Sequence, residues 1–468
     1  MKLPNMKEAA KRTKKEPNYI YEKRNIHREY NNLKYYIRTY GCQMNVHDTE
    51  EISAILEALG YTKTENYMES DLIILNTCAI RENVHDKVFG FLGRCKNLKK
   101  KNPNLILGLC GCMAQEEKVA ENIKEKYPFI DIVFGTHNIN ELPVILQNYA
   151  GNQSINVYSI EGNVIEFDHQ YKRDSKITAW VNIMYGCDKF CSYCIVPYTR
   201  GKQRSRRSAD ILKEINDLIK EGYQEVTLLG QNVNAYGKDL EGEITFSELL
   251  EKVSLTGIPR IRFVTSHPWD FTDDVIDVIA KYSNIMPYIH LPIQAGSNRV
   301  LKLMNRNYTK EDYLKLFDKI KDKIKNVSIS TDIIVAFPGE TEEDFEETLD
   351  LANYCKFDGA YTFIFSPREG TPAAKMKNEL TEEEKKNRLQ RLNKVINKYS
   401  KESNLKLVGT VQKVLVIGLS DKDTSKVCGY TENMKLVNIE ASHDSIGQII
   451  DVEITEAKSF SLNGKIKA

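Results

Sequence analysis

Tyr185-Gly186-Cys187-Asp188-Lys189-Phe190-Cys191-Ser192-Tyr193-Cys194 sets three cysteines in C-x3-C-x2-C spacing, directly after an apolar run, Ala179–Ile183, that reads as a strand. Three thiolates on one short loop can hold three irons of a [4Fe–4S] cluster, which takes cysteine ligands. The fourth iron is then left without a protein ligand, and an open coordination position separates a reactive metal site from a closed structural one. A zinc site would need a further His or Cys close by, and the loop supplies none. Nor is the spacing the paired C-x2-C of zinc knuckles.

Outward from this loop, strands are expected at Ala179–Ile183, Glu225–Leu229, Ile261–Val264, Tyr288–Leu291, Val327–Val335 and Ala360–Phe365, with helical spacing between them. In one intervening helix Ser208 is the expected N-cap, Ile211, Ile215, Leu218 and Ile219 share a face, and Gly222 is the terminator. Six such β/α units make a partial (β/α)6 barrel, and parallel barrels carry their binding residues at strand C-termini. That rule singles out Gln231 and Asn232, Ser266 and His267, Gln294, the turn Ala336-Phe337-Pro338-Gly339-Glu340, and Ser366 with Arg368. Each is more often a satisfied loop polar group, and His267, just before Pro268, is equally readable as a turn former. Past the cysteine loop lies a basic run, Arg200, Lys202, Arg204, Arg206 and Arg207. Such a run is usually a solvated face; beside a cofactor site it is also a candidate for gripping RNA phosphates.

Residues 35–150 also alternate strand and helix, with strands expected at Tyr35–Arg38, Leu72–Leu75, Leu105–Leu109 and Ile132–Phe134. This alternation implies a parallel sheet with helices on its faces. Cys42, Cys78 and Cys112 each fall just past the C-terminal end of an expected strand, the edge where ligand crevices form in open α/β sheets. Convergence on one site is therefore expected, the alternative being three small buried hydrophobes. Cys95, on a helical stripe with Val88 and Leu92, and Cys110, continuing a strand, read as core packing, and the isolated Cys355 and Cys428 as structural.

A chain of 468 residues is too long for one core. Composition divides it into a basic extension (1–34), the α/β region (35–150), a polar linker (151–172), the barrel with a connector helix (173–403) and a β-rich tail (404–468). The connector carries Leu389, Leu392, Ile396 and Tyr399 on one stripe, and the tail's short strands suggest a small antiparallel β-barrel. Net charge is +1, so any nucleic-acid binding has to be local. No apolar run reaches membrane-span length, and the first residues lack a secretory h-region. Ten cysteines in such a chain do not make a disulfide scaffold; a reducing cytoplasm is expected, and with it thiols free to bind metal.

The cysteine loop, with Tyr193 before its last Cys, resembles the radical S-adenosylmethionine (SAM) superfamily, in which SAM chelates the free iron and is cleaved reductively to a carbon-centred radical. With both cysteine sets in one chain, residues 35–468 resemble the methylthiotransferases of that superfamily, and the tail resembles their RNA-binding TRAM domain. The motifs Tyr40-Gly41-Cys42-Gln43-Met44-Asn45, Asn76-Thr77-Cys78-Ala79-Ile80-Arg81-Glu82, Ile195-Val196-Pro197-Tyr198-Thr199-Arg200-Gly201 and Leu229-Gly230-Gln231-Asn232-Val233-Asn234 are similar to the branch that modifies N6-isopentenyladenosine in tRNA. The other branches act on threonylcarbamoyladenosine or on a ribosomal-protein aspartate. The resemblance implies two [4Fe–4S] clusters, one on Cys187, Cys191 and Cys194 and a sulfur-carrying one on Cys42, Cys78 and Cys112. It implies two molecules of SAM per product, methylthiolation at C2 of adenosine 37 in the anticodon loop, and no side-chain acid or base in the chemistry. Gln231, Asn232, Ser266, Gln294 and Arg368 are the expected SAM contacts, and the five basic residues from Arg200 to Arg207 the expected RNA contacts. An electron donor such as flavodoxin or ferredoxin, a sulfur donor and a monomeric state are also expected. An electron-transfer iron–sulfur protein and an RNA-binding regulator are the rival classes; neither needs both a barrel and six such thiols.

Overall fold

The computed structural model describes residues 30–78, 82–115, 125–149, 155–157 and 171–467. Most of the basic extension, Ala79-Ile80-Arg81 of the second motif and most of the linker lie outside the described residues. By contact the chain forms two units: residues 30–174 with 185–189 and 194–204, and residues 175–184 with 190–193 and 205–467.

The first unit is built on six parallel strands, β1 (Lys34–Thr39), β2 (Thr62–Lys63), β3 (Leu72–Thr77), β4 (Ile106–Gly111), β5 (Ile132–Phe134) and β6 (Ile155–Val157), in the order β2-β1-β3-β4-β5-β6. Side chains alternate between faces with period two. Leu72 and Ile74 therefore pack with Ile52, Ile55 and Leu56 of helix α1 (Gln43–Ala58), while Ile73 and Leu75 pack with Val88, Phe91 and Leu92 of helix α2 (Glu82–Lys101). A sheet covered on both faces needs a fully apolar central strand, and β3 is buried throughout. The chain runs from β1 outward to β2 and returns to β3 on β1's other side, so the β1/β3 boundary is the topological switch point where crevices open. Strand β6 falls inside the stretch expected to be only a linker. Tyr30, the first described residue, stacks on Tyr61 with ring centres 4.9 Å apart.

A short ladder of β8 (Met184–Tyr185) with β9 (Arg204–Ser205) closes the ends of the cysteine loop. The second unit holds β7 (Thr178–Asn182), β10 (Glu225–Leu229), β11 (Arg260–Phe263), β12 (Tyr288–His290), β13 (Ser328–Val335) and β14 (Gly359–Ile364). They form two parallel half-sheets, β11-β10-β7 and β12-β13-β14. The halves are stitched at Ile261, whose N–H donates to Asn284 O at 2.8 Å and whose carbonyl accepts from Met286 N at 2.9 Å. One continuous apolar core backs both halves. The helix Ser208–Lys220 begins one residue earlier than expected: Arg207, with extended backbone, is at the cap position. Ser208 N–H instead donates to Glu243 Oε2 at 3.2 Å, so a carboxylate from elsewhere does the capping.

The connector helix Glu382–Leu405 buries Leu392, Ile396 and Tyr399 as its stripe requires. Beyond it β15 (Val411–Ser420), β16 (Asp423–Thr431), β17 (Leu436–Glu440), β18 (Ile449–Ala457) and β19 (Leu462–Ile466) close a barrel in the order β15-β16-β17-β19-β18. Its pairs are antiparallel except β17 with β19, which run parallel. Two arginines of β11 hold this barrel. Arg260 donates to Tyr430 O and Lys413 O, both at 2.9 Å, and Arg262 to Glu432 O at 2.9 Å and Thr431 O at 2.8 Å.

Candidate functional site

In the first unit, Cys42, Cys78 and Cys112 follow β1, β3 and β4, at and beside the switch point. Cys42 is the cap residue of α1, and a Cβ on Gly41 would stand 2.8 Å from Cys78 Cβ. The Cys42 and Cys78 thiols are in hydrogen-bonding contact. That bond, against the effect of burial and helped by the charge of Arg200, brings Cys42 down to about 6. Burial pushes Cys112 up to about 11, against the pull of Arg200; Cys42 acts in the same direction as burial. Cys42 thus senses both Cys78 and Cys112. The turns that carry them are pinned by paired amides: Asn45 Nδ2 donates to Asn76 Oδ1 at 2.9 Å and to Thr77 O at 3.1 Å, and Asn76 Nδ2 returns a bond to Asn45 O at 2.8 Å. Gly111 turns the chain at φ +93°, where a Cβ would meet Thr77 O at 2.3 Å, so only glycine lets β4 deliver Cys112 this close to β3.

Sequence reasoning missed the neighbour of this triad. Arg200 is 4% exposed; its Nη2 stands 2.6 Å from Asp48 Oδ2 on α1, and its Nε donates to Cys112 Sγ at 3.2 Å. Arg200 is therefore a buried partner of thiol and carboxylate and not an outward RNA contact. Arg206 is corrected likewise: it is buried, donating to Asn182 O at 2.6 Å and Glu214 Oε2 at 2.7 Å. Arg204 lies 3.0 Å from His137 Nδ1, while Lys202 is half-buried and Arg207 exposed. A run spaced like a solvated face is thus partly internal, because it packs back on its own unit and core.

The loop of the second triad leaves β8 through Gly186, at φ +73°, where a Cβ would fall 1.9 Å from Lys202 O. Cys187 N donates to Gly201 O at 3.1 Å, and Cys187, Cys191 and Cys194 take part in no disulfide. In the second unit Cys191 receives Arg306 Nη1 at 3.4 Å, and Arg306, buried, also donates to Pro292 O and Tyr308 Oη. Ser192 is tied at its N–H to Met304 O and at its hydroxyl to Leu303 O. Among the described residues no three His, Cys, Asp or Glu side chains are arranged to hold a single metal ion. The fit to clusters therefore rests on the thiols themselves and on the guanidinium beside one sulfur of each set.

Also in the second unit, buried polar atoms cluster after β10 and β11. Asn232 Nδ2 donates to Asp270 Oδ2 at 2.7 Å, but Asn232 Oδ1, Asn234 Nδ2 and Ser266 Oγ are buried without a partner. A lone buried polar atom costs about 1–3 kcal/mol, so three at one strand edge suit a polar ligand. Gln294 is buried at φ +76°, with its N–H on Asp332 O at 2.9 Å. Gln231 and Arg368 are half-buried, Arg368 Nη1 donating to Ser366 Oγ at 3.1 Å. Asn234 and Asp270 were not singled out from sequence, although Asn234 ends a quoted motif and was the available signal.

These features define a radical-SAM protein with an added thiol-bearing α/β domain and an RNA-binding-type barrel. The chain matches the Radical SAM superfamily over residues 181–352, Uncharacterized protein family UPF0004 over 34–135 and the TRAM domain over 405–467. Proteins named tRNA-2-methylthio-N(6)-dimethylallyladenosine synthase from Staphylococcus epidermidis and Staphylococcus aureus are both 53% identical to it, over 98% of this chain and 91% of theirs. The one from Staphylococcus haemolyticus is 52% identical over 99% and 91%. The chain belongs to the tRNA-2-methylthio-N(6)-dimethylallyladenosine synthase family. Among solved structures, the radical SAM methyltransferase TsrM from Kitasatospora setae, with cobalamin and a [4Fe–4S] cluster bound, shares the fold at a TM-score of 0.54 and 12% identity, over 74% of this chain and 77% of that one. Membership of the radical-SAM superfamily implies a [4Fe–4S] cluster and SAM. No helix among the described residues is long and apolar enough to cross a membrane.

Proposed function

We propose that this chain methylthiolates C2 of N6-dimethylallyladenosine 37 in tRNA. The observation that carries the reading is kinship at 53% identity over nearly the whole chain, spanning both cysteine sets and the TRAM domain. Cys187, Cys191 and Cys194 are assigned to the radical-SAM cluster and Cys42, Cys78 and Cys112 to a second, sulfur-carrying cluster. Two molecules of SAM serve each product. With SAM bound, the first cluster supplies a carbon-centred radical, which a C2–H bond of negligible acidity requires.

The protein's own residues bind and orient. Asn232, Ser266 and Gln294 offer hydrogen-bonding atoms at the strand edge, and Arg306 holds Cys191. The TRAM barrel is held to β11 by Arg260 and Arg262, and RNA binding is assigned to it. An anticodon-loop base is single-stranded and can be splayed into a pocket. Six cysteines outside any disulfide suit a reducing cytoplasm, a monomer suffices, and a flavodoxin or ferredoxin and a separate sulfur donor complete the system. The test is nucleoside analysis of tRNA from a strain lacking its own enzyme, with and without this chain. Restoration of the 2-methylthio nucleoside is expected; its continued absence, with the chain expressed and folded, refutes the reading.

A further inference from the structure

Arg200 and Asp48 lie outside every role assigned above. Burying an ion pair costs several kcal/mol of desolvation per ion, and apolar replacements often do as well, so the pair is poorly explained as a stabilising device. Its geometry suggests another use. Asp48 takes the two Nη groups, with Nη2 at 2.6 Å and Nη1 at 3.5 Å from the two carboxylate oxygens. A guanidinium is rigid and planar, so fixing that edge fixes the direction of Nε–H, which meets Cys112 Sγ at 3.2 Å. Asp48 itself stands on α1, whose cap residue is Cys42, and Cys112 is packed against Ile195 and Tyr198 next to Arg200 in the chain. One cation is thus locked against the first triad from two elements.

We propose that Arg200, aimed by Asp48, is a positioning residue that donates a charged hydrogen bond to the Cys112 sulfur and sets the reduction potential of the cluster on Cys42, Cys78 and Cys112. The proposal rests on the second-cluster reading. Reduction adds negative charge, and hydrogen bonds to sulfur together with nearby positive charge favour the reduced state, raising the potential. Arg200 sits six residues past Cys194 in the chain, so the segment bearing the first cluster's last ligand also carries the residue that tunes the second.

The test uses full-length protein with Cys187, Cys191 and Cys194 changed to Ala, so that only the first triad can hold iron. After anaerobic reconstitution this parent should hold about four irons. Arg200→Gln combined with Asp48→Asn removes both charges together and strands neither, which keeps the variant foldable; circular dichroism checks this. The reference is Asp48→Asn alone in the same parent, which already lacks the carboxylate but keeps the cation. Against it the double variant's cluster should titrate at a more negative potential, with an altered EPR signal, and Arg200→Lys with Asp48→Asn, which keeps the charge but loses the fork, should shift less. A merely structural pair would leave the potential unchanged. Equal potentials and spectra in folded Asp48→Asn and double variant overturn the proposal. A parent that binds no iron overturns the second-cluster reading and takes the proposal with it.

Discussion

Replacing Arg262 by Met tests how the C-terminal barrel is fastened. Arg262 is 4% exposed and makes three bonds: Nε to Glu225 Oε2 at 2.9 Å, Nη1 to Glu432 O and Nη2 to Thr431 O. Met fills much of the stem's volume but leaves the Glu225 carboxylate buried without its partner. Breaking a buried pair from one side costs about 3–5 kcal/mol. Arg260 is the internal control, since it too reaches two carbonyls of the barrel but hydrogen-bonds no carboxylate. Its replacement by Met should cost less, because both arginines lose two carbonyl bonds but only Arg262→Met also strands a buried carboxylate. Because a chain of two units has no single unfolding energy, the assay is native-state hydrogen exchange of β16 amides, which reads local opening. At about 1.4 kcal/mol per tenfold, Arg262→Met should speed β16 exchange by about two to three and a half orders of magnitude. Adding Glu225→Gln, which removes the stranded charge, should recover at least half the loss in free energy. Equal losses for Arg260→Met and Arg262→Met, or no recovery in the double variant, refute the reasoning.

Asp344 gives a pH prediction. Burial pushes its carboxyl up, but bonds from Arg299, from Ser297 Oγ at 2.6 Å and from Thr341 N at 2.8 Å outweigh this and hold it well below the usual carboxylate range. A group lowered in the folded state stabilises above its unfolded value of about 4 and loses that contribution as pH falls further. Asp344→Asn should therefore flatten the fall in melting temperature below about pH 4, and an unchanged acid slope contradicts this. Gly111→Ala forces a Cβ to 2.3 Å from Thr77 O at positive φ, which costs about 1–3 kcal/mol in backbone strain alone. The expected result is a lower melting temperature together with iron lost from the first triad, whereas wild-type melting and iron content would show that the turn has room. Purified tRNA bearing the isopentenyl group should be methylthiolated faster than threonylcarbamoyl or unmodified tRNA, since a fully buried prenyl group contributes about 0.8 kcal/mol per methylene-sized unit. Equal rates on all three would move the enzyme to another branch.

The α/β framework was legible because its signals are local. Leu72–Leu75 is a continuous apolar run, as a strand covered on both faces must be, and each cysteine of the first triad falls within three residues of its strand's end. All six barrel strands were placed to within a residue or so, since Ile, Val and Phe recur between helical segments. Long-range electrostatics were not legible. Asp48 and Arg200 lie 152 residues apart, and nothing in a stretch that reads as an acidic helix start marks Asp48 as buried. Arg206 has the same history: its partner Glu214 stands on the following helix, two turns away, among residues that read as solvent-facing. Strand β6 escaped notice because three residues in a polar stretch carry too short a period to recognise. The parallel β17–β19 pair closing the last barrel follows from sheet closure, which no single strand encodes.

The most direct test is an anaerobic assay of reconstituted protein with SAM, a reductant and isopentenylated tRNA, reading 5′-deoxyadenosine and the methylthio nucleoside together. The wild-type chain should yield both. The Cys42, Cys78 and Cys112 triple Ala variant should still release 5′-deoxyadenosine while forming no methylthio nucleoside, and the Cys187, Cys191 and Cys194 triple Ala variant should do neither. Methylthio product from the first variant, or loss of SAM cleavage in it while it remains folded, would contradict the division of labour between the two triads.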